Sequence, residues 1–340
     1  MLKKHFQKIL NTAIVLVYVV ILAGSLVRMT GSGMGCPDWP KCYGYLIPPT
    51  KIDQVQWKID HKYKKGQKII KNEELYVAKN NFISSKNYNS KNWELYTKHD
   101  YAIFNPVHTW IEYLNRLATV LFGIPILLLV ICGILFWKND KRILLLSIAT
   151  LFSVAFEAWL GKIVVDTNLM PVKITLHVLF VFFIVAFLLW IKFISKKYKV
   201  IPKDKIVNNL AIIAIILTLI QVIIGTQLRQ FVDVQMQVFN HVEPEKWLQS
   251  PPPIFNIHRS FSILLLVINL LLVWIHKKAG GQLQLFNWVG ILIIAEAFSG
   301  LVLYYFDFPF LSQPLHLLLS SLLFGVQFFC ALRLTKKNTL

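Results

Sequence analysis

The sequence is poor in acid. Only 17 Asp and Glu stand against 36 Lys and Arg, a formal charge of +19. Such a surplus invites a nucleic-acid partner, and the distribution excludes one, because the basic residues form no single face or stripe. They fall in short clusters between apolar runs: Lys3/Lys4/Lys8, Lys138/Lys141/Arg142, Lys196/Lys197/Lys199 and Lys277/Lys278. The first apolar run, from about Ile9 to Val27, ends without a small-x-small cleavage site, which argues against a removed signal peptide. Too little chain precedes it for a transit peptide. Cysteine is also rare, four in all.

What is abundant is apolar surface. Apolar residues make up 56% of the chain, above the roughly 45–50% of soluble proteins, and the ten tryptophans suit a membrane–water interface. A span takes about 20 apolar residues. Eight such stretches occur, at roughly 9–28, 107–136, 143–164, 172–193, 207–228, 254–275, 285–304 and 313–333. The Lys/Arg clusters follow the second, fourth and sixth, so those connections and both termini are expected in the cytoplasm. A bacterial plasma membrane is the simplest address. The loops from Thr30 to Pro106 and from Arg229 to Pro253 then lie outside. The first is rich in lysine, but loops longer than about 60 residues translocate largely regardless of charge. Its polar stretch from Lys51 to Lys98 reads either as a small extracytoplasmic insert, about 43–104, or as a solvated linker.

An internal repeat organises the spans. Glu157-Ala158-Trp159-Leu160-Gly161 in the third answers Glu296-Ala297-Phe298-Ser299-Gly300 in the seventh, and His177 answers His316, all at an offset of 139 residues. Gly24-Ser25-Leu26-Val27-Arg28 matches Gly225-Thr226-Gln227-Leu228-Arg229, and Asn115-Arg116 matches His258-Arg259. Four helices of one topology in each half make the repeats parallel, about an axis along the membrane normal. The expected fold is an all-α membrane protein, with eight transmembrane helices as two pseudo-symmetric four-helix bundles, residues 1–197 and 206–340.

Ionisable groups inside a span are costly and mark function. His177, His258 and His316 fall in the first turns of their helices. Neutral imidazole is the commonest metal ligand, and two on facing helices can clamp a haem iron. The plainer reading of any one of them is an interfacial histidine bonded to a carbonyl. The equivalent positions of His258 and His316 favour a bis-histidine haem in the C-terminal half. In the N-terminal half the matching position is Asn115, a poor iron ligand. Either His177 acts alone there, or His108 substitutes from seven residues away, about 10 Å nearer the outer surface. Glu112 shares the helix face of His108 and Asn115. It could stabilise a developing cation or take a proton, or simply pair with Arg116 at i+4.

Arg28, Arg116, Arg229 and Arg259 lie near outer helix ends, where guanidinium forks suit haem propionates; interfacial snorkelling is the competing reading. Cys36 and Cys42 close a short outer loop as a structural disulfide, or act as a redox-labile pair. Cys132 and Cys330 read as packing residues, as do Gly24, Gly161, Gly225 and Gly300.

Taken together, these motifs resemble the haem A synthase family. The resemblance is carried by Gly24-Ser25-Leu26-Val27-Arg28-Met29-Thr30-Gly31-Ser32-Gly33, by Gly35-Cys36-Pro37-Asp38-Trp39-Pro40-Lys41-Cys42, by Glu112-Tyr113-Leu114-Asn115-Arg116, and by His177, His258-Arg259 and His316. It covers nearly the whole chain apart from the Lys/Asn-rich insert. It implies oxidation of the C8 methyl of haem O to a formyl group by successive hydroxylations. It implies haem b on His258 and His316, substrate haem O in the N-terminal half with Glu112 essential, haem O synthase as a partner, and a membrane electron acceptor such as a quinone. The family pattern has Glu-x-x-His-Arg where this chain has Glu112-x-x-Asn115-Arg116. A haem carrier or exporter and a di-haem electron-transfer cytochrome are the rival classes; Glu112 argues against the first and Asn115 against the second.

Overall fold

The computed structural model describes residues 2–97, 103–167, 169–196, 198, 205–281 and 283–334. Lys197 and Lys199 of one basic cluster, and residues 98–102 near the end of the expected insert, lie outside them. Among the described residues eight helices are long and apolar enough to cross a membrane: α1 (Leu2–Met29), α2 (Pro106–Leu135), α3 (Lys141–Asp166), α4 (Pro171–Ser195), α5 (Lys205–Val238), α6 (Pro253–Lys278), α7 (Leu285–Tyr305) and α8 (Ser312–Leu334). The chain is a multi-pass membrane protein.

One helix differs from its apolar run. The sequence ends the fifth span near Leu228, whereas α5 continues to Val238. The extension is amphipathic. Arg229 and Asp233 pair at i+4 across 2.8 Å, while Val232 and Met236 are buried against Trp247, with Phe239, Leu248 and Phe308 around them. Much of the expected loop from Arg229 to Pro253 is therefore helix.

The chain forms two compact units. One comprises Met1–Leu22, Leu121–Glu157 and Ile174–Leu340; the other Ala23–Val120 and Ala158–Lys173. In lipid no hydrophobic term favours one apolar contact over another, so close packing holds helices together. In the first unit, Phe6, Leu10, Ala13 and Val17 of α1 pack with Phe122, Ile126 and Leu129 of α2 and Phe182, Leu188 and Ile191 of α4. A Cβ at Gly325 would collide with the Tyr18 hydroxyl, so α8 approaches α1 at a glycine. The C-terminal helices close a ring, in which α5 packs on α6 and α8, and α7 on α6 and α8. Val120, Phe152, Ile263 and Phe298 are exposed; in water they would be liabilities, whereas on membrane-spanning helices such residues suit lipid.

The second unit answers the question the sequence left open about the insert, which is folded. β1 (Lys62–Tyr63) pairs antiparallel with β4 (Phe82–Ile83), and β2 (Lys68–Lys71), β3 (Glu74–Ala78) and β5 (Trp93–Leu95) form an antiparallel sheet in the order β2-β3-β5. Asn72 and Glu73 join β2 to β3 with φ of 51° and 62°, the two left-handed residues of a type I′ hairpin. With few aliphatics available, aromatics build the core. Tyr63 and Trp93 are buried with ring centres 4.9 Å apart, and Phe82 and Tyr88 pack around them.

Candidate functional site

The closed ring of α5–α8 brings His258 and His316 together. Each lies within the first two turns of its helix, on α6 and α8, and the ring centres are 6.4 Å apart with the planes at 69°. Nδ1 of His316 is bonded to Ser299 Oγ at 2.7 Å and lies 3.4 Å from Glu296 Oε1, both on α7. Anchoring one ring nitrogen sets the ring's orientation and leaves Nε2 for a ligand. His258 Nδ1 is buried without a hydrogen-bond partner, and Gln221 of α5 donates to the His258 carbonyl at 3.0 Å.

Both rings sit against glycine. A Cβ at Gly225 would stand 3.0 Å from His258 Cε1, and one at Gly300 would stand 3.5 Å from His316 Cε1. These glycines, read from sequence as packing residues, hold open the space beside the imidazoles. Two imidazoles are too few for a bare ion, which takes four or more ligands. They suit an iron that brings four ring nitrogens of its own. The residues fit a haem held from both sides.

Within the same unit, His177 of α4 has its Nδ1 against Glu157 Oε2 of α3. The pairing of His177 with Glu157 thus repeats that of His316 with Glu296. Sequence reasoning saw the two glutamates only as markers of the repeat; that they orient the histidines was missed, although the shared offset of 139 residues carried the signal.

The second unit holds Glu112, buried on the first turns of α2. Its Oε2 accepts the Cys36 N–H at 2.8 Å and its Oε1 accepts from Arg116. The ion pair expected from i, i+4 spacing is present, and it is part of a larger clamp. Arg116 also donates to the carbonyls of Asp38 (2.5 Å), Lys41 (3.1 Å) and Cys36 (3.2 Å). Cys36 and Cys42 form a disulfide, so the clamp seizes a closed loop. Gly35 is obligatory in this docking, because a Cβ there would meet the His108 carbonyl oxygen at 2.5 Å. Thr109 donates to the Gly35 carbonyl at 2.8 Å, and Asp38 pairs with Lys68 at 3.2 Å. Tyr96 donates to the Pro37 carbonyl at 2.5 Å; burial first, then the charges of Asp38 and Asp166, push its hydroxyl up to about 12.

The remaining expected residues fall as follows. Asn115 Oδ1 would lie 3.8 Å from a Cβ at Gly24, the same pairing of helix positions as Gly225 with His258. Arg229 is engaged with Asp233. Arg259 is exposed, with its guanidinium 5.7 Å from the Phe255 ring. Arg28 lies in the last turn of α1.

Comparisons with known proteins point to one family. The family model described as cytochrome oxidase assembly protein, COX15-CtaA, matches residues 7–93 and 84–328. The haem A synthase of Shewanella oneidensis is 26% identical over 209 residues, covering 61% of this chain and 51% of its own. That of Bartonella quintana is 24% identical over 334 residues, 88% and 84% of the two chains, and that of Bartonella henselae 25% identical over 234 residues, 66% and 57%. The chain thus spans about half the length of the Shewanella relative and most of the B. quintana one. With the family model matched over nearly the whole length and the relatives carrying one name, the chain belongs to the COX15-CtaA family of cytochrome oxidase assembly proteins, the haem A synthase family.

Proposed function

We propose that this protein oxidises the C8 methyl of haem O to a formyl group by successive hydroxylations, giving haem A, in a bacterial plasma membrane with both termini cytoplasmic. The observation that carries the reading is the imidazole pair of His258 and His316, 6.4 Å apart in a closed helix ring. The name shared by the relatives supports the choice of substrate.

Haem b is the cofactor assigned to that pair; when bound it supplies one-electron redox chemistry inside the bundle. His258 and His316 hold it, and Ser299 and Glu296 orient His316. Arg259 is the better placed of the two nearby arginines for its propionates, since Arg229 is already paired with Asp233.

Substrate haem O is assigned to the N-terminal half, residues 1–197, with His177 as the iron ligand. Glu157 holds His177 Nδ1 and leaves Nε2 available. Glu112 is assigned as the acidic residue, kept in place by two donors and able to stabilise positive charge or accept a proton. With water as oxygen donor, each hydroxylation turns C–H and H2O into C–OH and releases two protons and two electrons. The second gives a gem-diol, which loses water to leave the formyl. The electrons pass to a membrane acceptor of the quinone class, and haem O synthase supplies the substrate.

The test is extraction of pigments from membranes that contain this protein and are supplied with haem O. Hydroxymethyl and formyl haem are expected. Recovery of unchanged haem O overturns the activity and leaves a haem carrier or a di-haem electron-transfer cytochrome.

A further inference from the structure

Three helical turns from the histidine pair, the C-terminal ring carries a second connection between the same two helices. Gln327 Nε2 on α8 donates to Asn269 Oδ1 on α6 at 2.7 Å, and Asn269 Nδ2 donates to the Leu265 carbonyl at 2.8 Å. Thr218 Oγ1 on α5 lies 3.0 Å from Gln327 Oε1, with the Ala214 carbonyl of its own helix at 2.8 Å. Asn269 and Gln327 are 0% exposed and Thr218 is 1%.

The spacing ties this layer to the histidines. Asn269 lies eleven residues beyond His258, and Gln327 eleven beyond His316. Eleven residues bring an α-helix round to within about 20° of its starting face, about 16 Å along the axis. Each helix therefore carries its histidine and its amide on one stripe, and each residue meets its counterpart on the other helix.

We infer that the Asn269–Gln327 amide pair is a positioning device for the bis-histidine site, fixing the slide and rotation of α6 against α8 that set the separation of His258 and His316. This rests on the haem reading proposed above. The ring packs α6 and α8 each against α5 and α7, which puts the two at opposite corners. Adjacent contacts set their mutual register only indirectly, whereas the amide bond sets it directly. A slip of one residue moves a side chain about 1.5 Å along the axis and about 100° around it, and amides separated in hydrocarbon find no water to replace their bond.

The N-terminal half supplies the contrast. By the repeat offsets, Thr218, Asn269 and Gln327 correspond to Val17, Ile126 and Leu188, all aliphatic and buried to 0–1%. If a polar layer were a general need of this bundle, both halves would carry it. Among the matched positions it is present only in the half that carries the histidine pair.

The experiment uses the full-length protein purified from haem-replete membranes, with electron paramagnetic resonance and haem release as readouts. Wild type should give one low-spin signal. Asn269→Leu should keep the fold by circular dichroism, broaden or split that signal, and release haem about three- to tenfold faster. The exchange Asn269→Gln with Gln327→Asn, which retains two bonded amides, should restore a single signal. Should Asn269→Leu fail to accumulate, Gln327→Met, similar in length but without the amide, should give the same broadening. A wild-type line shape and release rate in Asn269→Leu, or in Gln327→Met where that variant stands in, overturns the inference. Persistence of the low-spin signal in both His258→Ala and His316→Ala overturns the underlying haem assignment instead.

Discussion

The two halves of the chain carry different side chains at matched helix positions. At the positions where the C-terminal half has Phe255, His258, Asn269, His316 and Gln327, the N-terminal half has Glu112, Asn115, Ile126, His177 and Leu188. One half places polar groups where they hold: two imidazoles 6.4 Å apart and two bonded amides farther along the same helices. The other has a single histidine among these positions, a carboxylate clamped to a disulfide loop, and aliphatic residues where the amides stand. A saturated iron site with a fixed register suits a cofactor that stays. A less saturated one suits a haem that must react and leave.

The sharpest way to break this comparison is at the ligands. His258→Ala and His316→Ala should each abolish the low-spin haem spectrum of the purified protein, while His177→Ala should leave it intact; the reverse pattern would exchange the roles of the halves. Next in size is Glu112→Gln. It keeps the side chain's shape but sets an amide against Arg116, and it should lower haem A formation about 10²- to 10⁴-fold with the C-terminal spectrum unchanged. Product at the wild-type level would remove Glu112 from the chemistry.

A smaller contrast comes from the matched glycines. Gly225→Ala places a methyl 3.0 Å from the His258 ring, whereas Gly24→Ala meets Asn115 at 3.8 Å. The first should shift the haem absorption band and cost about 1–3 kcal/mol in thermal unfolding, and the second should do neither. The smallest effect is expected of Asn115→His, which supplies the imidazole of the family pattern. Haem content of a His258→Ala background should rise modestly on adding it, and an unchanged content would show that position 115 does not reach the iron.

The helices were legible in the sequence because the bilayer sets how long an apolar run must be. Most ends fall within three residues of the apolar runs. The exceptions are the start of α1 at Leu2 and the end of α5 at Val238. Past Leu228 the signal changes from apolar length to an amphipathic face, so a hydropathy criterion stops where the helix does not. The insert was ambiguous because its core is aromatic and its strands are two to five residues long, too short for alternation to register. The histidine pair was foreseeable from the repeat. The grip of Arg116 on the disulfide loop was not, since its acceptors are backbone carbonyls 75 to 80 residues away, and a carbonyl has no signature in a sequence.

The length of α5 also bears on where the protein floats. Its 34 residues run about 50 Å, well beyond the roughly 30 Å of hydrocarbon. The surplus carries the paired charges of Arg229 and Asp233 on one side and a patch completed by Trp247 and Phe308 on another. Tryptophan and charge together favour the headgroup layer, so this end of the bundle acts as a waterline. In a thicker or thinner bilayer the helices can tilt or the lipid can deform, but the histidine pair, tied to α5 through Gln221 and Gly225, keeps its depth below that mark. On the haem assignment proposed above, that depth sets how far an electron travels from the haem to the membrane surface.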